Sequence, residues 1–341
     1  MRKIKVLIVD DSVMFADMVS KGVSADPALE VVGVASNPFE ARDMILRYKP
    51  DVMTLDIEMP RMDGIEFTRR LMPQYPIPIV MVSSLSDKVF DAMNAGAVDF
   101  IAKPVNMTKD EIFSYIQRDL CTKIKIASTV EVGKKKRVEP KSVTPSDDIK
   151  KQDVVVALGA STGGTEALAD VIMGFRNDIP GTIVTQHMPP GFTKMYADRL
   201  DNQCAVSVKE AETGDVLKPG HVFIAPGDKH LKLVKSGEHY KIECKMGAKV
   251  SGHCPSVDFM FSHVAKVAGK NCVAALLTGM GKDGADGLLE IRRAGGRTIG
   301  QDEKSCVVYG MPKVAYDIGA VEYQLPLHSI AHKIYSILGS M

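Results

Sequence analysis

Acidic residues follow two apolar runs near the start of the chain. Asp10 and Asp11 come directly after the run at residues 5–9, and Asp56 ends the run at 51–56. Because the carboxyl ends of parallel strands meet at one edge of a sheet, we expect these three carboxylates to lie together. Mg²⁺ relieves the repulsion between clustered carboxylates and leaves room for a phosphoryl oxygen. A carboxylate beside such an ion can attack a phosphoryl donor, and Asp56, alone on the central strand, is the predicted nucleophile.

Two further polar groups are predicted at the same edge. Ser83 ends the apolar run at 77–83, and Lys103 follows the run at 99–102. A single aspartate at a strand end is commonly only a helix cap or a turn residue, so the prediction depends on the whole set. The predicted edge carries three carboxylates, a hydroxyl and an ammonium.

A serine lies in a glycine-rich turn in the second half of the chain. Residues 154–158 form an apolar run that leads through Gly159-Ala160-Ser161-Thr162-Gly163-Gly164 into a helical pattern. The G-x-S-x-G spacing exposes the Ser161 hydroxyl beside the helix N-terminus, which favours an oxyanion. Such a turn could instead cradle a dinucleotide pyrophosphate. A hydrolase is favoured because Ser161 replaces a glycine of the nucleotide motif and His187 stands where that motif needs an acid.

A nucleophilic serine needs a base, and the base needs an orienting carboxylate. His187 closes the apolar run at 181–186, which predicts it at the same sheet edge as the serine. Asp283 and Asp286 follow the run at 271–278 and are the candidate acids. Asp283 is predicted in the loop and Asp286 at the start of the next helix, and position alone favours Asp283 only slightly.

Short Val- and Ile-rich runs alternate with helical patterns in both halves, which is typical of βα units around a parallel sheet. The predicted strands of the first half cover residues 5–9, 29–35, 51–56, 77–83 and 99–102. Those of the second half cover 154–159, 181–186, 221–225, 271–278 and 296–299, with helices at 165–173 and 286–294. The predicted fold class is α/β, with two doubly wound parallel-sheet domains: one flavodoxin-like, the next Rossmann-like with three layers.

The two domains are predicted at residues 1–122 and 153–341. Between them, residues 123–152 lack periodicity and are rich in Lys, Ser, Thr, Pro and Asp, which is typical of a flexible linker.

Composition excludes several classes of protein. The 341 residues are 45% hydrophobic and 25% charged, as in globular proteins. The formal net charge of +1 gives no overall field that favours nucleic acid. Without a signal peptide or a long apolar stretch, the chain is predicted to be cytoplasmic, with no membrane insertion.

The acidic residues of the first half belong to a longer ordered set that resembles a response-regulator receiver domain. The set consists of Asp10-Asp11, Asp56, Glu58-Met59-Pro60, Asp63-Gly64, Ser83-Ser84 and Lys103-Pro104. The resemblance implies that Asp56 accepts a phosphoryl group. The implied Mg²⁺ ligands are Asp10, Asp11, Asp56 and the backbone carbonyl of Glu58.

The same resemblance implies roles for three more residues. Ser83 and Lys103 correspond to residues that contact the phosphoryl group, and Phe100 corresponds to an aromatic residue that changes rotamer. The segment from Ser84 to Gly96 is short for the family, which predicts a shortened fourth helix.

Four motifs of the second half resemble CheB, the family of chemotaxis protein-glutamate methylesterases. They are residues 159–165, Gln186-His187-Met188-Pro189, residues 277–287, and Val307-Val308-Tyr309-Gly310-Met311-Pro312. The resemblance implies that Ser161 is the nucleophile, His187 the general base and Asp283 the orienting acid. It also implies that Thr162 and the backbone NH of Met280 stabilise the oxyanion. Hydrolysis is expected to need no cofactor, and Mg²⁺ to serve only phosphorylation of the receiver.

Together, the resemblances imply a phosphorylation-regulated enzyme of chemotaxis adaptation. It is expected to demethylate glutamate methyl esters on methyl-accepting chemoreceptors, releasing methanol, and to deamidate specific receptor glutamines to glutamate. The implied phosphodonor is the chemotaxis histidine kinase. Two alternatives are a receiver joined to a DNA-binding module and a catalytically silent adaptor. A helix-turn-helix module is shorter, mostly helical and basic, unlike this second half.

Overall fold

The computed structural model describes residues 2–84, 87–133 and 153–341. The chain divides into two compact units, Met1–Lys136 and Arg137–Met341. Most of the segment predicted as linker, residues 134–152, lies outside the described residues. The first residues of the predicted linker, 123–127, belong to a helix, Cys121–Ala127, in which the side chains of Ile124 and Ala127 are fully buried. The end of this helix contributes to the core of the first unit, which therefore includes residues beyond 122.

The first unit contains a parallel sheet of five strands in the order β2-β1-β3-β4-β5, which is the flavodoxin-like order. Each predicted strand overlaps an observed one, and the central strands are buried because helices cover both faces. The strands are β1 (Ile4–Val9), β2 (Leu29–Ala35), β3 (Val52–Asp56), β4 (Ile79–Ser83) and β5 (Asp99–Ala102).

Helices follow the strands of this sheet. They are α1 (Val13–Ser24), α2 (Pro38–Tyr48), α3 (Gly64–Leu71), α4 (Lys88–Asn94), α5 (Lys109–Tyr115) and α6 (Cys121–Ala127), with a π-helical turn at Ile116–Leu120. Helix α4 has seven residues, in line with the short segment before Gly96. The Asp63 carboxylate caps α3, and a Cβ on Gly64 would lie 2.1 Å from the carbonyl oxygen of Asp56. Glycine at position 64 therefore lets α3 begin directly against the end of β3.

The second unit is built on a parallel sheet of seven strands in the order β14-β13-β12-β6-β7-β9-β8. The strands are β6 (Val155–Ala160), β7 (Thr182–Gln186), β8 (Ser207–Glu210), β9 (His221–Ile224), β12 (Cys272–Leu276), β13 (Arg297–Gln301) and β14 (Tyr323–Leu325). The predicted fold class of two parallel-sheet α/β domains is confirmed. The strand order reverses at β6. In doubly wound sheets, ligands bind at the carboxyl ends of the strands beside such a reversal.

A separate two-stranded sheet in this unit was not predicted from the sequence. Strands β10 (His230–Ser236) and β11 (His239–Lys245) pair antiparallel. Alternate residues such as Leu231, Leu233 and Ile242 are buried, so the period-2 pattern of a half-buried hairpin was present in the sequence.

Helices cover the large sheet of the second unit. They are α7 (Gly164–Met173), α8 (Phe192–Gln203), α9 (Val257–Ala268), α10 (Ala285–Arg293), α11 (Met311–Asp317) and α12 (Leu327–Ser340). The two predicted helices correspond to α7 and α10. Across the described residues, no helix is both long and apolar enough to cross a membrane.

Candidate functional site

Ser161 lies in the turn between β6 and α7. Its NH donates to the carbonyl of Thr278 at 2.9 Å, and its own carbonyl accepts from the NH of Gly164 at 2.7 Å. Gly163 has a φ of +72°, and a Cβ there would lie 2.4 Å from the side chain of Val307. The turn therefore requires glycine at this position, and it holds the serine at the N-terminus of α7.

His187 directly follows β7 and lies between the serine and an aspartate. Its Nδ1 is 3.0 Å from Ser161 Oγ, and its Nε2 is 2.7 Å from Asp283 Oδ2. For Nδ1 to accept the serine proton, Nε2 must carry the ring hydrogen and donate it to the aspartate. The structure thus brings together the three residues that the sequence proposed as a catalytic set. A turn that binds a dinucleotide would not need a histidine hydrogen-bonded to both a serine and an aspartate.

Asp283 is buried and surrounded by hydrogen-bond donors. Its carboxylate accepts from Ser256 Oγ at 2.8 Å, from the NH of Val257 at 2.8 Å and from the NH of Asp258 at 2.9 Å. Burial acts to raise the pKa of Asp283, but the bonds from His187 and these donors outweigh it, so the pKa lies below its ordinary value. The acid therefore stays ionised against the base.

The alternative acid, Asp286, is not part of this set. Its side chain is 63% exposed on α10 and lies 3.7 Å from Lys282. The residue that sequence reasoning missed is Ser256, the N-cap of α9. A serine before an apolar helical run is a cap signal, but the sequence could not indicate which carboxylate the helix start would bind.

The loop after β12 lies against the serine. A Cβ on Gly279 would lie 2.7 Å from Ser161 Cβ, and the Gly279 carbonyl accepts from the NH groups of Gly310 and Met311 at 3.1 and 2.8 Å. This close approach puts the Met280 backbone beside the serine. Thr162, the other predicted oxyanion residue, is 5% exposed in the facing turn.

We expect Gly279→Ala to impair the site more than the fold. The new methyl group would also meet Met311 Sδ at 2.3 Å, so Ser161 or its turn must shift, and a shift of about 1 Å costs on the order of 10²-fold in rate. Hydrolysis of an ester substrate and thermal unfolding measure the two effects. Gly339→Ala is the matched control, because apart from its chain neighbours and the backbone of its own helix no heavy atom lies within 4 Å of that new Cβ. Equal activity of the two variants would contradict the close approach.

Two further residues that the sequence did not single out hold the serine turn. Gln186 Nε2 donates to the Ser161 carbonyl at 2.9 Å. Thr278 Oγ1 donates to the Thr162 carbonyl at 3.0 Å and accepts from the NH of Val308 at 2.9 Å. Both side chains are buried, so they fix the backbone around the nucleophile rather than meet a substrate.

The first unit gathers its predicted acids in one pocket, here called the acidic pocket (Asp10, Asp11 and Asp56). Oxygen atoms of the three carboxylates lie within 4.8 Å of one another. Asp10 and Asp56 are buried, whereas Asp11 is exposed. Lys103 Nζ is 2.6 Å from Asp56 Oδ2 and 2.9 Å from Asp10 Oδ2. Since hard cations prefer clustered carboxylate oxygens, these residues fit Mg²⁺.

Burial and charge act against each other in this pocket. Burial raises the pKa of Asp56 above its ordinary value, although Lys103 partly offsets the effect. Burial also acts to lower the pKa of Lys103, but its bonds to Asp56 and Asp10 outweigh that, and its pKa is raised. The lysine therefore remains a cation beside the carboxylates.

The structure also describes the remaining predicted residues of the first unit. The Glu58 NH donates to Asp56 Oδ1 at 3.2 Å, so the Glu58 backbone adjoins the acids. Ser83 is buried at the end of β4, and its hydroxyl donates to the Ser84 carbonyl at 2.9 Å. Phe100 is buried on β5 with its ring edge-on to Phe90, at 6.2 Å between centroids.

Comparison with known families matches both units. Residues 156–334 match the CheB methylesterase family, and residues 6–117 match the response regulator receiver domain.

Similar proteins extend over the full chain. A protein-glutamate methylesterase/protein-glutamine glutaminase 2 of Syntrophomonas wolfei is 54% identical, over 100% of this chain and 99% of its own. A protein-glutamate methylesterase/protein-glutamine glutaminase of Syntrophotalea carbinolica is 48% identical, over 99% and 98%. Among solved structures, the CheB methylesterase catalytic domain of Thermotoga maritima is 40% identical with a TM-score of 0.53, covering 54% of this chain and 98% of that one.

Proposed function

This chain belongs to the CheB methylesterase family and carries a response regulator receiver domain, and we propose that it is a phosphorylation-regulated protein-glutamate methylesterase and protein-glutamine glutaminase. Its substrates are methyl-accepting chemoreceptors, and it acts in chemotaxis adaptation. One observation carries the chemistry: His187 lies within hydrogen-bond distance of both Ser161 and Asp283.

The first half of the reaction forms a tetrahedral intermediate on the serine. His187 Nδ1 takes the proton from Ser161 Oγ, and the oxygen attacks the side-chain carbonyl carbon of a glutamyl methyl ester or a glutamine. The oxyanion that forms is stabilised by Thr162 and by the Met280 NH. Asp283 stabilises the imidazolium and keeps the ring hydrogen on Nε2.

The second half releases the product. His187 returns the proton to the leaving methoxide or amide nitrogen, so methanol or ammonia departs and an acyl-enzyme remains on Ser161. Water, deprotonated by His187, then attacks the acyl carbon. The bond from that carbon to Ser161 Oγ breaks, His187 returns the proton to this oxygen, and the glutamate is freed. Both substrates pass through the same kind of tetrahedral intermediate, so one triad serves both.

The acidic pocket is the proposed site of regulation. Asp56 accepts the phosphoryl group, and Ser83 and Lys103 contact the phosphoryl oxygens. The groups that would hold Mg²⁺ are the carboxylates of Asp10, Asp11 and Asp56 and the backbone carbonyl of Glu58. When bound, Mg²⁺ neutralises charge on the transferred group. Phe100 is the proposed switch residue. The phosphodonor is a chemotaxis histidine kinase, and phosphorylation activates the esterase by favouring one of two states.

The function is tested by methanol release from membranes that contain methylated chemoreceptors. We expect release by the full chain, and faster release when acetyl phosphate and Mg²⁺ are added. Absence of methanol under both conditions would refute the esterase assignment.

Replacing Asp56 with asparagine is expected to abolish phosphorylation. An amide cannot form the acyl phosphate, so radiolabelled acetyl phosphate should not label the variant and should not stimulate its methanol release. In the wild-type protein, EDTA should also prevent labelling while the basal release persists, because the proposed acyl transfer is carried out by Ser161, His187 and Asp283 alone.

Asp17→Asn is the matched control for this substitution. Asp17 is an exposed aspartate on α1 that pairs with Lys21, so its variant should be labelled and stimulated normally. An Asp56→Asn protein that releases methanol as fast as the phosphorylated wild type would overturn the regulatory role.

A further inference from the structure

A second histidine lies flat against the base of the proposed triad. The ring of His253 stacks on the ring of His187, with 3.8 Å between centroids and 10° between planes. His253 is half-buried, and the His187 side chain is 9% exposed. The hydrolysis mechanism does not use His253, so the contact requires its own explanation.

We propose that His253 is a positioning residue for the hydrolase, with its flat ring holding His187 in the plane that joins Ser161 to Asp283. This proposal rests on the proposed function, because it assigns His253 a role that acts through the base. The residue transfers no proton itself and acts only through the ring of His187.

The two hydrogen bonds of His187 act at the edges of its ring. They fix where Nδ1 and Nε2 lie, but a ring held only at its edges can tilt out of plane. A flat partner in contact with one face opposes that tilt.

The loop that carries His253 is held by hydrogen bonds that do not involve His187. Val250 and His253 exchange two backbone hydrogen bonds, of 3.0 and 2.9 Å, across a tight turn in which Ser251 and Gly252 have positive φ. Ser251 Oγ donates to Asp258 Oδ2 at 2.6 Å. The Ala248 carbonyl lies 2.9 Å from Nε2 of the buried His230. These contacts hold the backbone of the loop that carries His253 at several points.

The same stretch of chain also positions the acid. Directly after His253, the side chain of Ser256 and the backbone NH groups of Val257 and Asp258 bind the Asp283 carboxylate. Residues 253–258 therefore touch two of the three members of the triad. One segment controls both the face of the base and the orientation of its acid.

The test compares His253→Ala with His253→Phe in the full-length protein. A fluorophosphonate probe reports the Ser161–His187 pair without a receptor: the Oγ–P bond forms, fluoride leaves, and the hydroxyl proton passes to His187. His253→Ala should be labelled about tenfold more slowly than wild type, because the base loses its alignment. His253→Phe keeps a flat ring and should stay within about threefold. In methanol release, His253→Ala should lower kcat and leave KM for the receptor unchanged.

His239→Ala, at an exposed histidine of the β10–β11 hairpin, is the control and should be labelled at the wild-type rate. Thermal melting verifies that each variant is folded. The proposal would be overturned if folded His253→Ala were labelled at the wild-type rate. It would also be overturned if folded His253→Phe were labelled as slowly as the alanine variant, since a flat ring would then be insufficient. Failure of the wild type itself to be labelled would instead refute the proposed triad.

Discussion

Ser161→Ala is expected to lower kcat for methanol release by on the order of 10⁵- to 10⁶-fold, which is the loss seen when a triad nucleophile is removed. Without Oγ there is no acyl-enzyme, and His187 has no hydroxyl to deprotonate. The same variant should lose glutaminase activity to the same extent, because both reactions begin with attack by this oxygen. Methanol and ammonia release from receptor membranes measure the two losses.

The control for Ser161→Ala is Ser207→Ala, since Ser207 is an exposed serine at the start of β8. It should keep full activity. Ser161→Ala should also be phosphorylated normally at Asp56, which separates loss of the triad from a failure to fold. A Ser161→Ala protein that still deamidates receptor glutamines would show that the two activities use different nucleophiles.

Asp283→Asn is expected to lower kcat by about 10⁴-fold, the cost of presenting the base in the wrong tautomer. An asparagine NH₂ cannot accept the hydrogen bond from His187 Nε2, so the ring hydrogen moves to Nδ1 and the serine proton loses its acceptor. The carboxylate also accepts from Ser256, Val257 and Asp258, and an unsatisfied donor among them costs about 1–3 kcal/mol of stability. Steady-state kinetics and thermal unfolding measure the two effects.

Asp286→Asn is the matched control for the acid. It changes the nearby aspartate in the first turn of α10, which is exposed and lies 3.7 Å from Lys282. It should alter kcat by less than about twofold because exposed ion pairs contribute little. If Asp286→Asn were the slower enzyme, the assignment of the acid would be wrong.

The acidic pocket could be predicted closely from the sequence. Asp10, Asp56 and Lys103 each lie at or just beyond the end of a strand-like run, and parallel strands bring such ends to one edge whatever the details of packing. The serine turn could be predicted for a similar local reason: Gly163 must adopt a positive φ between a strand and a helix. In both cases the signal lies within a few residues of the functional side chain.

The partners of His187 depended on contacts between distant parts of the chain. Asp283 and Asp286 are three positions apart, and their positions in the sequence favoured Asp283 as the acid only slightly. The start of α9, about 25 residues earlier in the chain, donates three hydrogen bonds to one of them and leaves the other in water. The hairpin β10–β11 and the loop at residues 246–254 were missed as well, although that loop carries His253 to the face of the base.

The sequence by itself determined the two parallel-sheet domains, the acids of the pocket, and the serine and histidine at the second sheet edge. These features follow from strand periodicity and local turn chemistry, which depend on near neighbours. The tertiary structure alone decided which aspartate is buried against His187, which ring nitrogen faces the serine, and which ring stacks on the base. Those outcomes depend on hydrogen bonds and ring contacts between residues far apart in the chain, which no local pattern specifies.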